Sequence, residues 1–122
     1  MLRESKIEAH LIKRVKEIGG ETRKVQWIGR DGAPDRLVML PERFRDLATL
    51  SPLMQICIQV GAVPESIPAC SLFVELKAEG LAATFPNDAH ERTQWREHER
   101  MRGYGLRVEV IDSIEGVEAL LA

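Results

Sequence analysis

FVELK, residues 73–77, read together with GAPDR, residues 32–36, decides the fold of this chain. Side chains alternate across a strand, so Glu75 and Lys77 project from one face and Leu76 from the other. An acid and an amine sharing one face of a strand otherwise built of Phe, Val and Leu is an unusual pair. Asp35, at the mouth of the apolar run Leu37–Leu40, supplies a second acid. Two carboxylates and a lysine are the groups a protein needs to hold Mg²⁺ and set a water against a phosphodiester. Each also has a structural reading. Asp35 could pair with Arg36 or Arg30 or cap the turn before its strand, and Glu75 with Lys77 could be a same-face ion pair on an exposed sheet, worth little energetically.

The composition sets bounds around that site. A chain of 122 residues with 44% hydrophobic and 30% charged residues has the size and balance of one ordinary soluble domain, with core enough to fold without disulfides. No apolar run approaches the roughly 20 residues that cross a bilayer. The opening MLRESKIEAHLIKR is charged and amphipathic, unlike a signal peptide, so a cytoplasmic protein without a membrane partner is expected. Cys57 and Cys70 lie in an apolar segment without CxxC spacing and read as buried free thiols. The formal charge of −2 becomes +1 once three candidate metal-binding acids are set aside. The basic residues also fall in clusters, and phosphate binding depends on local patches more than on net charge. Charge therefore permits a nucleic-acid partner without establishing one, since each cluster could equally be a solvated helix face.

Working outward, Ile7, Leu11, Val15 and Ile18 form a helical stripe within 3–18 that Gly19-Gly20 ends. Glu8 falls within this stripe, where an acid is costly unless paired; it sits at the stripe's edge, pairs with an arginine, or points into a metal site. Lys24–Ile28 alternates as a half-buried strand, Gly29–Pro34 is a turn, and Asp35–Leu40 is a buried strand. Beyond it, PERFRDLATL reads as a short helix starting near Pro41, Leu53–Val60 is apolar and either helix or strand, and GAVPESIPA is a loop. After the strand Leu72–Lys77 comes a helix from Asn87 or Asp88 to about Arg102, whose inward face carries Gln94 and His98 between Trp95 and Met101. A strand Leu106–Ile111 and a helix capped by Ser113 close the chain. The order αββ(insert)βαβα gives a mixed sheet with helices on its faces. Gln94 could be only a core-edge amide, and His10, His90 and His98 read as surface or packing residues. No zinc spacing, GxSxG or glycine-rich nucleotide loop is present, so no nucleotide cofactor is expected.

In this order the elements resemble the PD-(D/E)XK nuclease superfamily, and more closely its VRR-Nuc branch of small stand-alone modules. The resemblance rests on Glu8 in an early helix, GAPDRLVML, FVELKAEG, Gln94 and the closing YGLRVEVIDS, and it spans nearly the whole chain except 42–71. It implies an α/β fold, the restriction-endonuclease-like core (αβββαβα with an insert before the ExK strand), in one domain over 1–122. It also implies a Mg²⁺- or Mn²⁺-dependent endodeoxyribonuclease. Asp35, Glu75 and the main-chain carbonyl of Leu76 would ligate the ion, with Glu8 holding a bound water or helping a second ion. Lys77 would orient the attacking water, and Gln94 would hydrogen-bond near the metal or the lysine. The family's usual products are a 5′-phosphate and a 3′-hydroxyl. Branched DNA such as four-way junctions is the implied substrate, with Lys13, Arg30, Arg36, Arg92 and Arg96 as candidate DNA contacts.

The departure from the family is the insert at about 41–71, which puts forty residues between Asp35 and Glu75. Leu50, Leu53, Met54, Ile56, Cys57, Ile58 and Val60 are more apolar material than a loop shows to water, so the insert either completes this chain's core or packs on a second copy as a homodimer or swapped element. Two other functions compete with the endonuclease. One is a non-catalytic DNA-binding or assembly module that keeps the fold; an intact Asp35, Glu75 and Lys77 speaks against it. The other is a metal protein acting on small phosphoesters; arginines spread over several elements favour a polymer instead.

Overall fold

The computed structural model describes residues 1–122. The chain runs α1 (Glu4–Ile18), β1 (Glu21–Lys24), β2 (Arg36–Leu40), β3 (Arg43–Phe44), α2 (Pro52–Gln59), β4 (Ser66–Ile67), β5 (Cys70–Leu76), α3 (Ala89–Gly103), β6 (Val108–Ile111) and α4 (Ile114–Leu121). The main sheet has the order β1-β2-β5-β6, while β3 and β4 form a separate two-stranded ribbon. β2 runs antiparallel to both of its neighbours, β1 and β5, and β6 joins β5 in parallel. This is the mixed sheet with flanking helices that the element order implied. No helix is long and apolar enough to cross a membrane.

Alternation along β5 divides the molecule into two layers. Leu72, Val74 and Leu76 face one way and, with Val38 and Leu40 of β2, meet Ile7, Leu11 and Val15 of α1 and Val117 and Leu121 of α4 in one apolar cluster. The α1 residues are spaced by four and wholly buried, so the stripe read from the sequence is the wall of this core. Each such side chain contributes about 1.5–3 kcal/mol relative to exposure. Gly19, at φ 92°, turns the chain out of α1, and its N–H bonds to the carbonyl of Lys16. Glu118 of α4 accepts from Arg14 at 2.9 Å and lies 2.8 Å from His10 of α1, which clasps the two helices together at the surface.

Several expectations need correction. The strand placed at Lys24–Ile28 ends at Lys24. Its partner β2 begins at Arg36, and beyond the Lys24–Arg36 pair a single backbone bond, Val25 N–H to Asp35 O, is all that ties the two segments. The helix expected from near Pro41 is reduced to a single 3-10 turn, Leu47–Thr49, capped by Asp46, because Arg43–Phe44 pairs with Ser66–Ile67. An α-helix begins only at Pro52, where Ser51 caps through its side chain and the proline occupies the first turn. α2 buries none of its residues, and Leu53, Ile56 and Val60 stand 72%, 53% and 71% exposed. The insert therefore does not complete this chain's core. The thiols are free, but Cys70 is exposed and Cys57 only half-buried, because β5 emerges from the core at its first residue. Trp95, at 44%, is also exposed.

Candidate active site

The second layer is polar. Continuing the β2–β5 register one residue past the Arg36–Val74 pair sets Asp35 across from Glu75, both on the face away from the apolar cluster. Asp35 is pinned on three sides. Its N–H donates to Val74 O at 3.0 Å, its carbonyl accepts from Val25 N–H at 3.0 Å, and Oδ2 accepts from Leu76 N–H at 2.7 Å. Glu75 and Lys77 follow at the end of β5, 1% and 8% exposed. They do not form the exposed ion pair that the sequence left open.

α3 covers these two residues. Gln94 and His98, one turn apart, are about as far from each other as two strand residues of the same face, so one helix face reaches both. Lys77 Nζ donates to Gln94 Oε1 at 2.8 Å and lies 3.0 Å from Glu91 Oε2, one turn earlier. His98 Nε2 lies 3.1 Å from Glu75 Oε1. Phe85, from the loop after β5, stacks on His98 at 5.7 Å between centroids and has Lys77 Nζ over its ring at 5.0 Å. The loop before β2 is held against the same helix. Arg30 donates to the buried Glu97 at 2.8 Å. Gly32 (φ +94°) passes so close that a Cβ there would meet Glu97 Cβ and Thr93 O at 2.9 Å.

The electrostatics follow from burial. The Glu75 carboxyl is pushed up from 4.5 to about 9, first by burial, then by the hydrogen bond and charge of Asp35. His98 is pushed down to about 4, first by burial and then by the charge of Arg102. Glu91 is lowered, first by its hydrogen bond to Lys77. Glu4, in the first turn of α1, is raised by partial burial and then by Asp35. Without a cation, a proton on Glu75 relieves the repulsion between the two carboxylates. A divalent ion relieves it equally. The donor set suits a hard, hydrated cation rather than a closed protein cage, since no group of three or more His, Cys, Asp or Glu sits at metal-holding distance.

The structure brings Asp35, Glu75, Leu76, Lys77 and Gln94 together. It leaves Glu8 outside: Glu8 accepts from Arg36 Nε at 3.1 Å, the arginine pairing that the sequence allowed. Both acids of α1 lie on one face, and Glu4, a turn earlier, is the one whose charge Glu75 feels. Glu4, Phe85, Glu91 and His98 are the neighbours the sequence reading missed; stepping one turn from Glu8 and from Gln94 finds Glu4, Glu91 and His98. Of the candidate DNA contacts, Lys13, Arg30, Arg92 and Arg96 are exposed, while Arg36 is tied to Glu8 and partly covered.

No family model matches the chain. It is similar to "Putative nuclease p44" of Acyrthosiphon pisum secondary endosymbiont phage 1, 34% identical over 113 residues that cover 93% of this chain and 86% of the phage protein. It is also similar to a solved VRR_NUC domain, at a TM-score of 0.61 and 28% identity over 99% of this chain and 96% of the other. With the strand pair, the helix over it and the carboxylate–lysine arrangement in place, this chain belongs to the VRR-Nuc family of nucleases.

Proposed function

We propose that the chain is a divalent-metal-dependent DNA endonuclease, with Asp35, Glu75 and the carbonyl of Leu76 as ligands of one hydrated Mg²⁺ or Mn²⁺. The observation that carries this reading is the buried Glu75 facing Asp35, two carboxyl groups of which neither is paired with a lysine or arginine, so that each raises the other's affinity for a proton or a cation. A bound ion supplies Lewis acidity toward a phosphodiester oxygen. Lys77 has one ammonium donor left after Gln94 and Glu91. That donor hydrogen-bonds the attacking water and turns its lone pair toward phosphorus; the P–O3′ bond breaks as the P–O bond to water forms, the water releasing a proton to solvent and O3′ taking one up from solvent. Glu4 is the α1 acid placed to accept a hydrogen bond at the rim of the site.

Lys13, Arg30, Arg92 and Arg96 supply phosphate contacts that position the backbone without reading bases. We place selectivity with branched DNA, four-way junctions above all, and a homodimer formed through α2 and the β3–β4 ribbon. Support for the dimer comes from α2, which has no charged residue and buries none of its own. A monomer by light scattering at micromolar concentration would remove it.

The test is a labelled panel of single strand, duplex, flap, splayed arm and four-way junction, incubated with Mg²⁺, Mn²⁺ or EDTA. The expected result is cutting with metal, fastest on the junction, none in EDTA, and a loss of at least about 100-fold in Lys77→Ala with DNA binding retained. A Lys77→Ala protein that cuts at the wild-type rate refutes the mechanism.

A further inference from the structure

We infer that His98 is a positioning residue for this site, holding the Glu75 carboxylate so that its outer oxygen is presented beside Asp35; the inference rests on the metal-site reading above. His98 is wholly buried, and its only polar partner is Glu75 Oε1 at 3.1 Å. Nδ1 is buried with no partner at all. A buried N–H without an acceptor costs more than a bare lone pair, so the ring proton sits on Nε2 and donates to Glu75. Phe85 stacked on the ring fixes its plane.

Stability alone gives no reason for this arrangement. A carboxyl and an imidazole buried side by side, one nitrogen unsatisfied, are less favourable than two apolar side chains of the same shape. Helix spacing gives the pairing a purpose. Gln94 grips Lys77 and His98 grips Glu75, so one face of α3 sets both side chains of the ELK segment. Groups that orient a metal ligand from behind typically account for 10–100-fold in metal affinity.

The experiment compares wild type, His98→Leu and His98→Gln. Leu keeps the apolar packing against Phe85, and Gln returns a donor near the place of Nε2. Mn²⁺ affinity is read by calorimetry, and kcat and KM on duplex or junction DNA are measured beside it. His98→Leu should bind Mn²⁺ about tenfold or more weakly and lose kcat with KM for DNA unchanged, and His98→Gln should recover to within about threefold of wild type. Wild-type Mn²⁺ affinity in His98→Leu overturns the inference while leaving the metal site standing. Failure of wild type itself to take up Mn²⁺ overturns both. A readout independent of any variant is the ¹⁵N–¹H spectrum of the wild-type imidazoles: His98 should carry its proton on Nε2, and a proton on Nδ1 overturns the assignment.

Discussion

Glu75→Gln should make the metal-free protein more stable. In the unfolded chain the Glu75 carboxyl loses its proton near 4.5, whereas the folded protein keeps it to about 9. Between those values the unfolded state binds fewer protons than the folded state, so stability falls as pH rises, by about 1.4 kcal/mol per pH unit. At pH 7 the accumulated loss is about 3 kcal/mol. Gln has the same shape, donates to Asp35 and accepts from His98, and has no proton to lose. In urea with EDTA, Glu75→Gln should match wild type at pH 4.5 to within about 0.5 kcal/mol and exceed it by about 3 kcal/mol at pH 7, with the gap still widening at pH 8. If Glu75 ligates Mg²⁺ as proposed, saturating Mg²⁺ should narrow the gap, because the ion would stabilise the wild-type fold more than the Gln variant. Parallel pH dependences in the two proteins, or a Gln variant less stable at pH 8, refute the account of a buried carboxyl held protonated by its surroundings.

Two further perturbations probe the frame around the site. Gly32→Ala combines a left-handed φ with a Cβ that overlaps Thr93 O and Glu97 Cβ, so it should destabilise by about 1–3 kcal/mol in urea and lower cleavage by displacing the Arg30 loop; full wild-type stability would contradict it. Glu118 is lowered, first by its hydrogen bond to Arg14 and then by His10. Its contribution is present above the unfolded value of 4.5 and vanishes as pH falls through the folded value. Glu118→Gln should therefore lower the urea midpoint at pH 7, with a deficit that shrinks as the pH falls below 4.5, and a deficit that stays constant with pH would sink the clasp.

The residues of the site differ in how far their sequence exposes them. Period-two patterning around Glu75 and Lys77 sufficed because both faces of β5 are covered, one by apolar and one by polar neighbours, and only a strand satisfies both. Asp35 followed from its apolar run, but its opposition to Glu75 depends on a pairing register across the forty residues between them, which no local pattern specifies. The α1 acids show the limit of periodicity. Glu4 and Glu8 occupy the same helix face, and only the docking of α1 on the sheet tells which one meets Asp35 and which meets Arg36. His98 was legible as an inward residue of α3, yet its partner lies on another element. In residues 41–71 the Phe44, Leu47 and Leu50 spacing favoured a helix; the β3–β4 pairing took Phe44 out of it and left one 3-10 turn at Leu47–Thr49.

The connection between β2 and β5 leaves the sheet at the Leu40–Cys70 end of the hairpin, while Asp35 and Glu75 lie past its other end. Five residue steps along an antiparallel strand are about 17 Å. A one-residue slip in β5 would carry Glu75 and Lys77 into the apolar cluster and bring Leu72, Val74 and Leu76 beneath α3, so insertions and deletions inside the strand are excluded from both sides. Changes in length between the strands, at 41–69, leave the paired residues of β2 and β5 and the far end of the hairpin where they are. That excursion is where the chain has freedom to grow, shrink or acquire a new surface while the nuclease centre stays as it is.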